Sequence, residues 1–71
     1  MTTPVSAHIT GTVWKIEVKV DEQVAEGQVL VILESMKMEM PLEAPVAGKV
    51  EKVHVVEGQA VSEGDVLVTL A

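Results

Sequence analysis

Cysteine is absent from this 71-residue chain. That excludes a disulfide staple and a thiolate metal site, so the fold must hold through packing alone. Arginine is absent too: five lysines are the only cations against eleven acidic side chains, a formal net charge of −6. With no basic stripe to track phosphates, nucleic acid is not an expected partner. Phenylalanine and tyrosine are missing and tryptophan occurs once, at Trp14, although 48% of the residues are hydrophobic. The core must therefore be aliphatic, chiefly Val and Leu. The longest unbroken apolar run is Val29–Leu33, far short of the roughly 20 residues needed to cross a bilayer. No membrane span is expected. No charged stretch leads into an apolar segment at the N-terminus, as a secretory signal would require. The expected compartment is the cytoplasm.

A chain of this length makes one domain, 1–71, and can bury only about 60% of its unfolded surface. Many reaction sites are larger than such a core could enclose, so a non-catalytic role is expected. The start at Met1-Thr2-Thr3 and the end at Ala71, with no Ala/Pro-rich linker, fit a free-standing protein.

What is present is a repeat. Shifted by 37 positions, the sequence matches itself without a gap, with 14 of 34 positions identical between 1–34 and 38–71. Gly11 falls on Gly48, Lys15 on Lys52, Pro4 on Pro41, Ala7 on Ala44, Glu26-Gly27 on Glu63-Gly64, and Val29-Leu30-Val31 on Val66-Leu67-Val68. Each half is a unit unable to cover its own apolar side, so two copies cover each other. A quasi-twofold domain is expected, its halves joined by residues 35–37, which have no counterpart in the repeat.

Beta-branched residues dominate and turn residues recur at short intervals, which favours short strands over helices. The pattern predicts strands near 4–9, 12–20, 28–34, 38–43, 49–56 and 65–70. Ile16, Val18 and Val20 alternate with Glu17 and Lys19 like a half-buried strand. Val29–Leu33 is apolar throughout, as a strand covered on both faces would be. Gly27, Gly58 and Gly64 stand where a turn would need positive φ, and Asp21, which tolerates that region, stands at the counterpart of Gly58. The expected fold class is all-β: two small sheets about 10 Å apart in a flattened sandwich or barrel.

Between two predicted strands lies Glu34-Ser35-Met36-Lys37-Met38-Glu39. A hairpin here would be very tight, and tight hairpins favour Asn-Gly or Asp-Gly at the centre. Met36 and Lys37 are poor choices sterically, and rules broken at a turn tip are expected at functional sites. The turn would hold one lysine at the apex with thioethers beside it. A lone exposed amine accepts an acyl group once a partner enzyme deprotonates it. The lysine stem with an acyl chain would then reach on the order of 10–15 Å. The plainer alternative is an idle surface lysine with Met36 and Met38 filling gaps.

The hexapeptide resembles the attachment motif of the biotinyl domain family, and the likeness extends over essentially the whole chain. In that family the lysine between two methionines is acylated by biotin through an amide bond. The resemblance implies a flattened, eight-stranded, quasi-twofold (hammerhead) fold with the lysine at a hairpin tip. It implies covalent biotin on Lys37, with Met36, Met38 and Glu34 recognised by a biotin protein ligase. It implies a non-catalytic carrier that moves a carboxyl group between the biotin carboxylase and carboxyltransferase of a biotin-dependent carboxylase, such as an acetyl-CoA or other acyl-CoA carboxylase. Related lipoyl domains carry their lysine in a different context, typically Asp-Lys-Ala, so the flanking methionines favour biotin. A lipoyl carrier for a 2-oxo acid dehydrogenase or glycine cleavage system is the alternative, and an unmodified interaction module is a third reading. The ungapped repeat leaves no room for the inserted thumb of some larger carriers.

Other residues say less. His8 and His54 are not equivalent in the repeat and no second ligand sits at metal spacing, so no metal site is expected. No Ser/His/Asp or Cys/His arrangement is present, so no catalytic residues are expected. Trp14 aligns with Glu51, a position expected to face solvent. It would cover a sandwich edge or, second, anchor a partner.

Overall fold

The computed structural model describes residues 2–71. Met1, where the reading of one unit over 1–71 begins, lies outside the described residues. Eight strands run in chain order: β1 Thr3–Ser6, β2 Gly11–Ile16, β3 Gln23–Val24, β4 Val29–Ser35, β5 Met38–Glu43, β6 Gly48–Val53, β7 Ala60–Val61 and β8 Val66–Leu70. Six correspond to the strands read from the sequence. The two additional ones, β3 and β7, are two residues long, too short to show a period. They occupy equivalent places in the repeat.

Two four-stranded antiparallel sheets result, ordered β1-β8-β6-β3 and β5-β4-β2-β7. A shift of 37 positions carries each strand of one sheet onto a strand of the other. Each sheet also mixes the halves: β1 and β3 of the first half pair with β8 and β6 of the second. Neither half completes a sheet alone. The sheets close on sixteen buried apolar side chains, every one Val, Leu or Ala, with Leu30, Leu33, Leu67 and Leu70 fully buried. No polar side chain is buried among the described residues, so the core needs no internal hydrogen-bond network.

Bulges shape both sheets, and they also come in equivalent pairs. Register shifts between Val29 and Val31 and between Val5 and Ser6, opposite Val68 and Val66, insert Leu30 and Leu67 as extra residues. A bulge lets neighbouring side chains face the same way, so Leu30-Val31 and Leu67-Val68 are all buried. This refines one expectation. The bulge puts Leu30 and Val31 together in the core, while Val29 and Ile32 are half-buried rather than fully covered. The second pair of shifts places Trp14 and Glu51 as extra residues in β2 and β6.

The strand expected over 12–20 ends at Ile16, and that over 49–56 ends at Val53. Val18 and Val55 remain buried from outside the ladders, which explains why the alternation persists in the sequence. Val20, expected to face inwards, is 52% exposed. It sits in the turn 19–22, where the chain has already left the sheet.

Four turns share one design, at 19–22, 25–28, 56–59 and 62–65. In each, the N–H of the fourth residue donates to the first residue's carbonyl, at 3.0–3.2 Å. The side chain of that fourth residue (Glu22, Gln28, Gln59 or Asp65) accepts from the first residue's N–H, at 2.8–3.2 Å. The third residue has positive φ: 75° at Asp21, 86° at Gly27, 91° at Gly58 and 94° at Gly64. That φ is what such a turn requires at its third position, so the sequence reading of these four residues holds. The sheet edges β1 and β5 carry Pro4 and Pro41 at equivalent places. Proline offers no N–H to a further strand, which blunts an edge against pairing with another chain.

Two stability outcomes follow. Leu30→Ala should cost about 2–5 kcal/mol by transfer and cavity effects, which a domain this small can ill withstand. Gly58→Ala should cost about 1–2 kcal/mol through left-handed strain alone, because a Cβ there meets nothing within 4 Å. Urea unfolding followed by circular dichroism measures both. Equal midpoints for Gly58→Ala and the parent would contradict the turn assignment.

Candidate functional site

β4 and β5 pair from Val29↔Glu43 to Ser35↔Met38, leaving Met36 and Lys37 as a two-residue loop. Their φ values are 52° and 63°. Two positive φ angles are what a type I′ hairpin demands, because that turn follows the right-handed twist of the strands. Side chains with a Cβ are strained there, by on the order of 1–3 kcal/mol each. The long β4–β5 ladder behind the loop offsets that strain. β4, with seven residues, is the longest strand of the fold and extends roughly 20 Å at 3.3 Å per residue.

Met36 is 92% exposed and Met38 58% exposed, while Met40, one pleat further along, is half-buried beside Leu33. The two flanking thioethers are therefore outside the core, contrary to a gap-filling role. Lys37 is exposed. The ion pairs among the described residues are Lys15–Glu17 at 3.8 Å and Lys49–Asp21 at 3.7 Å; Lys37 takes part in neither. Its ammonium is free for another molecule to approach. Glu34 and Glu39 face each other across the neck of the hairpin, both exposed. Like charges directly opposed on a ladder weaken it, so this pair contributes nothing to the turn's stability.

One positioning residue escaped the sequence reading. A Cβ on Gly11 would lie 2.5 Å from the Glu34 carbonyl oxygen and 3.4 Å from the Ser35 Cβ. Gly11 thus lets β2 pass directly behind the base of the hairpin. At its equivalent, Gly48, an added Cβ would likewise lie 2.9 Å from the Ala71 carbonyl oxygen. The signal was there: Gly11 and Gly48 match in the repeat although neither is a turn glycine. His8 and His54 are exposed and separate, and the His54 Nε2 lies 2.7 Å from the Thr69 Oγ1. Among the described residues no group of His, Asp or Glu could hold a metal ion, and no helix is long and apolar enough to cross a membrane.

The biotin/lipoyl family model, described as "Biotin-requiring enzyme", matches residues 1–70. The chain belongs to this family. It is 50% identical over 36 residues to the biotin/lipoyl attachment protein of Bacillus subtilis, a match covering 51% of this chain and 49% of that protein. The chain thus matches about half the length of that relative. Its fold superposes on part of the urea carboxylase of Kluyveromyces lactis with a TM-score of 0.95 and 31% identity, covering 100% of this chain and 6% of that one. It superposes on part of a single-chain, multi-domain long-chain acyl-CoA carboxylase with a TM-score of 0.91 and 35% identity, covering 96% and 7% respectively. A putative efflux transporter from Bacteroides eggerthii shares the fold alone, at 13% identity and a TM-score of 0.89 over 99% of this chain and 39% of that one.

The site geometry makes two mutational claims. Met36→Asn should stabilise the protein by up to about 1 kcal/mol, because asparagine tolerates positive φ. Gly11→Ala should destabilise it by about 1–3 kcal/mol, since β2 and the Glu34 carbonyl must part. Thermal unfolding reads both, and amide shifts at 34–38 should move in Gly11→Ala. A Gly11→Ala protein with unmoved hairpin resonances would refute the close approach.

Proposed function

We propose that this chain is a biotin carrier and that Lys37 is its attachment site. The observation that carries the reading is the unpaired, exposed Lys37 ammonium on a strained two-residue turn, between two exposed methionines. The membership of the family and the likeness to stretches of two carboxylases support it.

Lys37 offers a primary amine to a ligase that supplies the base and an activated carboxyl group. The ligase's base takes one proton from the ammonium, the freed amine nitrogen bonds to the acyl carbon, the activating group leaves, and a second proton is lost from the nitrogen as the amide forms. The amide formed is uncharged. When bound, biotin supplies a ureido nitrogen able to hold a carboxyl group. The chain's own part is to hold the tether root still while the arm sweeps between active sites. The type I′ turn fixes the backbone at Lys37, and Gly11 seats the hairpin base against β2. Tethering raises the effective concentration of the carried group at each active site within reach.

Glu34, Met36 and Met38 are the residues a biotin protein ligase would read at the tip. Met36 and Met38 offer adaptable apolar contact, and Glu34 marks the start of the neck. The loaded carrier would serve the biotin carboxylase and carboxyltransferase of a biotin-dependent carboxylase, with an acyl-CoA carboxylase as one candidate. The curated relative's name spans biotin and lipoyl, so a lipoyl carrier for a 2-oxo acid dehydrogenase or glycine cleavage system is the competing assignment. The flanking methionines favour biotin.

Incubation with a biotin protein ligase, ATP and biotin should raise the intact mass by one biotinyl group. Lys37→Ala should show no gain, and a lipoate ligase with lipoate should leave the parent unmodified. A lipoyl adduct without a biotinyl one, or a biotinyl gain that survives in Lys37→Ala, would falsify the assignment.

A further inference from the structure

The two sheets are built on one repeat and carry equivalent bulges, so their outer faces meet the same folding demands. Their outer residues nevertheless differ. The strands of the Lys37-bearing sheet carry three carboxylates, Glu34, Glu39 and Glu43, against the single ammonium of Lys15. Each sheet has one lysine paired to a carboxylate just outside its strands, Lys15 to Glu17 here and Lys49 to Asp21 on the other sheet, so the excess of carboxylates on this sheet stands. The strands of the other sheet carry Lys49 and Lys52 against Glu51. The bulge position, too, is split: Trp14 stands on the acidic face and Glu51 at its equivalent. Trp14 is 47% exposed although it is the chain's one aromatic residue.

The equivalent site shows what this fold needs at such a bulge. Glu51, a carboxylate, occupies it and is exposed. The fold therefore does not require an indole at this bulge, and nearly half of the Trp14 surface is open to solvent. Exposed tryptophan is costly to leave in water and is over-represented among residues that anchor protein interfaces. Trp14 also lies on the sheet whose central hairpin ends at Lys37, so a protein gripping the indole would have the amine within the same encounter.

We infer that the outer face of β5-β4-β2-β7 is the docking surface for the ligase that loads Lys37, with Trp14 seated in an apolar socket. This rests on the proposed attachment at Lys37. The charge argument selects the partner. An enzyme that activates a carboxyl group with ATP must line its active-site mouth with cations to hold the phosphates. An acidic face complements that mouth and steers the encounter. The basic-leaning face of the other sheet would not.

Steady-state loading of the full chain by a biotin protein ligase tests this, with Trp14→Glu as the main variant. Glu51 shows that the bulge accepts a glutamate, and Trp14→Ala serves as a second variant should that one unfold. Glu51→Ala is the control on the opposite face. Trp14→Glu should raise the KM for the carrier about tenfold or more with kcat little changed, the pattern of an interaction made equally before and during the reaction. Glu51→Ala should leave both constants unchanged, and added salt should raise the parent's KM. A Trp14→Glu carrier with the parent's KM overturns the docking face, as does an equal effect from Glu51→Ala. So does a parent that self-associates through this face, becoming monomeric only as Trp14→Glu in sedimentation. A parent that gains no biotinyl group at all overturns the attachment reading instead, and the intact mass separates the two failures.

Discussion

Neither half of this chain can complete a sheet from its own strands, and the rest of the structure depends on that. β1 and β3 finish a sheet whose middle strands, β8 and β6, belong to the second half, and β5 and β7 do the same for β4 and β2. The halves must fold together or not at all, which suits a chain too small to afford two cores. The interleaving also fixes where the chain crosses from one half to the other. β4 is a central strand and β5 its edge neighbour, so the crossing has to be a hairpin, and pairing up to Ser35↔Met38 leaves two residues for it. The tip is thus the covalent joint of two interlocked halves, anchored by the longest ladder in the fold. A side chain placed there has a root that cannot wander.

The repeat acts as an internal comparison between folding and everything else. Whatever recurs after 37 positions answers a folding demand: the four turns, the edge prolines, the leucine bulges and the close-approach glycines all recur. A difference in chemical character between exposed equivalent positions is where other demands can act. Lys37 lies at the joint and has no counterpart among residues 1–71, and its two strained dihedrals are unlike the four repeated turns, where glycine or aspartate takes the positive φ. Trp14 against Glu51 is another departure, and the unequal charge of the two sheets a third. Lys37 and Trp14 both belong to the β5-β4-β2-β7 sheet or its hairpin, the side on which the proposed loading would take place.

Much of this was legible in the sequence, and the parts that were not share a cause. The turns at Asp21, Gly27, Gly58 and Gly64 could be read because positive φ restricts which residues stand there. The six longer strands could be read because β-branched runs between such turns have few alternatives. β3 and β7 were illegible because two residues cannot display a period. The ends of β2 and β6 were overrun because Val18 and Val55 stay buried after the ladder stops, so hydrophobicity outlasts hydrogen bonding. The apolar run Val29–Leu33 suggested two covered faces because a bulge at Leu30 also puts neighbours on the same side, and pattern alone cannot separate the two. At the site, Lys37 stood out through broken turn chemistry, whereas Gly11 did not, because its role is a contact with Glu34 across strands that only three dimensions bring together.

The electrostatics of the tip bear on why the lysine stands alone there. Glu34 and Glu39 oppose one another at the neck, and a salt bridge from Lys37 to either would relieve that repulsion by up to about 1 kcal/mol. The structure forgoes it: Lys37 is in neither ion pair. Part of the reason is geometric. Residues at the centre of a type I′ turn project away from the strands, while Glu34 and Glu39 stand on them. An amine paired to a carboxylate would have to break that bond before a partner could take hold of it. Leaving the ammonium unpaired costs the turn little, since all three groups are solvated, and it leaves the nitrogen open to a partner's approach. In the proposed carrier, acylation would remove the one cation of the tip. The loaded head would then be more acidic than the empty one, a difference that a protein which must distinguish the two could sense by charge before it touches the carried group.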